Sequence, residues 1–110
     1  YKQIRFIVIG VILIIGSHTA IAASSEDIDK LTTYAIILGR AIVCGNDIED
    51  SMHRVGKWMD RTFLPGFADQ KIYLPIFMKG VRYHAQMQKE GESPDSCTVV
   101  QRTFNGFPWP

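Results

Sequence analysis

Residues 25–63 read SEDIDKLTTYAIILGRAIVCGNDIEDSMHRVGKWMDRTF, and this stretch decides the fold. Apolar residues fall at Ile28, Leu31, Ala35, Leu38 and Ile42, in alternating steps of three and four, widened by Tyr34, Ile37 and Ala41. That is the spacing of one buried face of an α-helix. Ser24 or Ser25 can cap its start, and Glu26, Asp27 and Asp29 put negative charge at the positive end of the helix dipole. A helix over 25–44 is predicted. Gly45 suits the residue just past a helix end, and Asn46 suits the cap of a second helix with Glu49 three residues on. Ile48, Met52, Val55, Met59 and Phe63 continue the spacing and predict that helix over 47–63.

Downstream, Leu64-Pro65-Gly66 reads as a turn, and residues 67–73 have room for one helical turn. Pro75 suits the first position of a third helix running to about residue 90. Its apolar face can be counted two ways: Phe77 or Met78 with Val81, Ala85 and Gln88, or Ile76 with Gly80, Tyr83 and Met87. Gly80 permits a close helix crossing, and Gly91 ends the helix. Ser93 as cap and Pro94 at the first position open a shorter fourth helix, with Cys97, Val100 and Phe104 facing inward. Asn105-Gly106 is a turn before an extended tail, Phe107 to Pro110. No run of alternating β-branched residues, repeat or low-complexity stretch is present. The predicted fold is all-α, a small three- to four-helix bundle.

The other end of the chain gives an address. Lys2 and Arg5 precede an apolar run, FIVIGVILII over residues 6–15, and then Gly16, Ser17 and Ala20-Ile21-Ala22. That order of charge, apolar core and small residues reads as a secretory signal peptide over 1–22. Retention of residues 6–23 as an uncleaved membrane anchor is the alternative. The remainder divides into a helical domain over 23–106 and an aromatic, proline-bearing tail over 107–110. Loss of residues 1–22 takes Lys2 and Arg5 and no acid, so 12 basic residues fall to 10 against 11 acidic ones, and the net charge turns from +1 to −1. A near-neutral chain has no general electrostatic reason to bind nucleic acid. An exported chain meets an oxidising compartment, so Cys44 and Cys97 are expected to pair. That bond closes a loop of about 53 residues, worth roughly 4 kcal/mol on the chain-entropy model.

The search for chemistry is less productive. Glu49, Asp50 and His53 share helical spacing that suits metal ligands, but the acids are also explained by their place at a helix start. They define a second reading, a small metal-binding protein or enzyme. His84 with Met87, and Met52 with Met59, have copper-ligand chemistry, yet the methionines lie on apolar stripes. No G-x-S-x-G segment and no cysteine beside a histidine is present, so no enzymatic activity and no cofactor is expected. Arg54, Lys57 and Arg61 form a cationic row, with Asp50 and Asp60 at pairing distance in sequence. Residues 71–89 hold Lys71, Lys79, Arg82 and Lys89 and no acid, a bias that suits an acidic protein surface as partner. Phe107 and Trp109 either pack back on the bundle or anchor another protein, and Trp58 lies one residue off its helix's main stripe. The contact candidates are therefore Arg54, Trp58, Lys79, Arg82, Phe107 and Trp109.

In layout the chain is similar to two groups of small exported bacterial proteins. One comprises helical immunity proteins that neutralise cell-wall hydrolases in the periplasm. The other comprises accessory proteins of conjugation or type IV secretion systems. Signal peptide, short length and a single cysteine pair carry that resemblance, and no functional residue transfers from it. It implies a periplasmic or secreted protein that binds another protein of the envelope.

Overall fold

A computed structural model describes residues 23–110. The signal peptide expected over 1–22 lies outside the described residues, as does all but the last residue of the alternative anchor. Four helices follow in order: α1 (Ser25–Val43), α2 (Glu49–Thr62), α3 (Ala68–Lys89) and α4 (Cys97–Gly106). None of the described helices is long and apolar enough to cross a membrane.

α1 starts where its cap chemistry places it: Ser24 Oγ accepts the Asp27 N–H at 3.1 Å. It stops because Gly45 takes a φ of 88°, open to a residue without Cβ. That turn lets the Asn46 N–H reach the Ala41 carbonyl at 3.0 Å and the Gly45 N–H reach that of Ile42 at 3.3 Å, satisfying two orphaned acceptors. Gly91 closes α3 in the same way, with Glu92 donating to Met87.

Three boundaries differ from expectation. α2 begins at Glu49 rather than 47, and Asn46 does not cap it; the Asp47 carboxylate accepts the Glu49 N–H instead. α3 begins at Ala68, so Pro75 lies inside the helix rather than at its first position. Proline removes the N–H that would bond the Lys71 carbonyl, and both Lys71 and Pro75 lie on the exposed side of the helix. α4 begins at Cys97, capped by Ser96, whose hydroxyl accepts from the Val99 N–H. Ser93-Pro94-Asp95 forms the bend before it, fixed by Gln88 Nε2 donating to the Asp95 carbonyl at 3.1 Å.

α1 is the hub, meeting all three other helices. Its longest contact is with α3, and the seam is made of small residues. A Cβ on Gly39 would collide with the Val81 carbonyl of α3, and one on Gly80 would stand 3.2 Å from the Ala35 Cβ. Ala35 beside Gly80 and Gly39 beside Val81 and Ala85 mean that α1 and α3 run in the same direction. The core gathers Leu31, Tyr34, Leu38, Val55, Met59, Phe63, Phe77, Val81, Val100 and Phe104. Ile42, expected on the buried stripe, is 44% exposed, and the last turn of α1 turns Ala41 inward instead.

Candidate interaction surface

Cys44 and Cys97 are joined, with their Cα atoms 5.2 Å apart. The bond ties the end of α1 to the first residue of α4, and polar contacts surround it. Gln101 Nε2 donates to the Cys44 carbonyl at 2.6 Å, and Arg40 Nη1 lies 3.4 Å from Asp95 Oδ2. Burial, and after it the Arg40 guanidinium, hold the neighbouring His84 below its ordinary pKa.

The aromatic contact candidates belong to the interior more than to the surface. Trp58 is 8% exposed, edge-on to Tyr34 and Phe63 at ring separations of 5.0 and 5.7 Å. A ring so enclosed offers a partner little area. Position 58 is inward because α2 presents a wide face, Ser51, Val55, Trp58 and Met59 together. Phe107 and Trp109 lie over Tyr34 at 5.9 and 5.8 Å, and Trp109 Nε1 donates to the Phe104 carbonyl at 3.3 Å. Burial pushes the Tyr34 phenol up, partly offset by Lys30.

The charged candidates stand outside. Arg54, Lys57 and Arg61 are exposed, and the pairs expected with Asp50 and Asp60 are not closed; Asp60 instead accepts from Gln70 Nε2 at 2.9 Å. Glu49, Asp50 and His53 are exposed and border an open depression with Asp47. Among the described residues no three His, Cys, Asp or Glu side chains come together as metal ligands.

Lys79 and Arg82 fall on a surface that the sequence held in view as a rival count. The buried side of α3 is Phe77 and Val81. On the outward side, Ile76 of the other count is 54% exposed and Tyr83 56%, joined by Ile72 at 53%, while Gly80 of that count sits in the seam with α1 and Met87 is half-buried. Ile72, Ile76, Tyr83 and Lys79 lie within about 60° of arc and span roughly 16 Å of helix. Lys71, Pro75 and Arg82 border the stripe and are exposed. The ion pairs among the described residues are Lys30–Glu26 and Arg40–Asp95, so every cation of this face is unpaired. Ile72 was missed in the sequence because Pro75 was taken as the helix start, which put Ile72 outside the helix.

Comparison with known protein families, with curated proteins and with solved structures finds no match to this chain. The functional reading therefore rests on this geometry.

Proposed function

We propose that this chain is an exported, periplasmic protein that acts by binding another protein of the bacterial envelope. It would serve as an accessory component of a secretion or conjugation system, or as an immunity or inhibitor protein. The observation that carries this reading is the second apolar stripe of α3. One stripe is spent on α1, while Ile72, Ile76 and Tyr83 are left to solvent beside unpaired cations. Water-exposed isoleucines grouped on one helix face are unfavourable for an isolated protein and favourable at an interface. The Cys44–Cys97 bond suits an oxidising compartment.

The test is the native size of the protein in a gently made envelope extract. The chain is expected to elute as part of a larger complex, in a processed form beginning at residue 23 or 24. Ile76→Glu should move it to the volume of the free protein without changing its melting temperature. Elution of the unaltered chain as a free monomer, or recovery of an unprocessed form in the cytosol with reactive thiols, would overturn the proposal.

A further inference from the structure

We infer that the outward face of α3 receives an acidic, amphipathic helix from the partner protein. The inference rests on the partner-binding reading above and names the chemistry that such a partner must bring. Residues 70–89 contain no acid, while Lys71, Lys79, Arg82 and Lys89 all stand exposed and unpaired. A second copy offering the same face would set cations against cations, so self-pairing through α3 is disfavoured.

The placement of Lys79 separates a protein from a lipid surface. An interfacial helix presents an unbroken apolar side to the acyl chains and keeps its cations at the margins. Here Lys79 lies inside the stripe, three residues after Ile76 and four before Tyr83. A cation between apolar neighbours calls for a carboxylate held at one point, which a folded partner supplies and a fluid headgroup layer does not. The stripe recurs at i, i+4, i+7 and i+11, the register that an opposing helix meets. The partner's apolar residues then cover Ile72, Ile76 and Tyr83, and its acids face Lys79, with Lys71 and Arg82 alongside.

The experiment places the photo-crosslinker p-benzoylphenylalanine at position 76 of the full chain, in the cells that make it. Control probes go at positions 54 and 102, on α2 and α4. Adducts are digested and sequenced by mass spectrometry. At position 76 the expected adduct is a peptide of a different protein, with Asp and Glu outnumbering Lys and Arg around the attachment point. The double substitution Lys79→Glu/Arg82→Glu should lower its yield at least tenfold at an unchanged melting temperature. If that variant melts early, Lys79→Gln/Arg82→Gln replaces it, with a several-fold loss expected. Adducts to lipid, to a second copy or to a basic segment overturn the inference, as does a yield indifferent to these substitutions. Protein adducts at 54 or 102 but not at 76 overturn the α3 assignment and leave the partner-binding role standing. No protein adduct at any of the three positions overturns both.

Discussion

α3 and α4 are both fastened to α1, by different means. The α3 seam works through what is missing: at Gly39 the backbones come so near that no side chain fits, and at Gly80 there is barely room for one. α4 is held by separate attachments, the Cys44–Cys97 bond, the Arg40–Asp95 pair, the Gln101 hydrogen bond and the aromatic tail over Tyr34. Close packing of backbones is continuous and yields as a unit. A set of discrete ties can be undone one at a time. The lesson is that a short helix with few neighbours borrows stability from covalent and terminal contacts, whereas a long helix draws it from shape.

The sharpest way to break the comparison is to cut the covalent tie. Cys44→Ser/Cys97→Ser is expected to lower stability by about 4 kcal/mol. In native-state hydrogen exchange, protection should fall first in α4 and last along the α1–α3 seam. Uniform loss through both helices would show that the two attachments are not independent. The seam itself is probed with alanine. Helix propensity favours Ala over Gly by about 1 kcal/mol, while forcing atoms into a filled space costs about 1–3 kcal/mol or more. Gly39→Ala meets the α3 backbone and should destabilise by about 1–2 kcal/mol in urea titration. Gly80→Ala meets only the Ala35 methyl group and should come out near neutral. Equal effects would mean that the seam tolerates separation.

Removal of residues 107–110 takes Phe107 and Trp109 off Tyr34. The expected loss is about 1–2 kcal/mol, together with a weaker near-ultraviolet aromatic signal and unchanged helicity. The smallest effect is that of pH. His84 has a folded-state pKa below 6.5, from burial first and Arg40 second. The unfolded chain then takes up the proton earlier as pH falls. Stability is complete above 6.5, declines as pH drops through it, and levels off below the depressed native value. The fall in melting temperature between about pH 7.5 and 5.5 should be shallower in His84→Gln. An unchanged slope would assign the titration elsewhere.

Much of this architecture was legible in the residues. The three–four spacing gave α1 and α2, Gly45 and Gly91 gave two helix ends, and the expectation of an oxidising compartment gave the cysteine pair. Proline misled at α3, because its preference for a first turn is a local rule, and here Pro75 sits inside the helix on its exposed side. Ser93 misled at α4. Ser96 holds the cap instead, and the contacts of Asp95 with Arg40 and Gln88 fix the bend that precedes it. The two counts along α3 looked like a poor stripe. Phe77 and Val81 of the first are buried, Ile76 and Tyr83 of the second are free, yet Gly80 of the second lies in the seam with α1, and periodicity alone does not say which positions a neighbour covers. Trp58 and the tail were ambiguous for the same reason, since an aromatic ring suits a core and an interface equally.

Tyr34 lies under Trp109, so α1 is covered by a segment that comes after all four described helices. Synthesis proceeds from the amino end. Until residue 109 has been made, the aromatic floor of α1 stays uncovered, and Cys44 has no mate before Cys97 follows it. The fold thus closes late, when the tail reaches back to a helix that was made long before it.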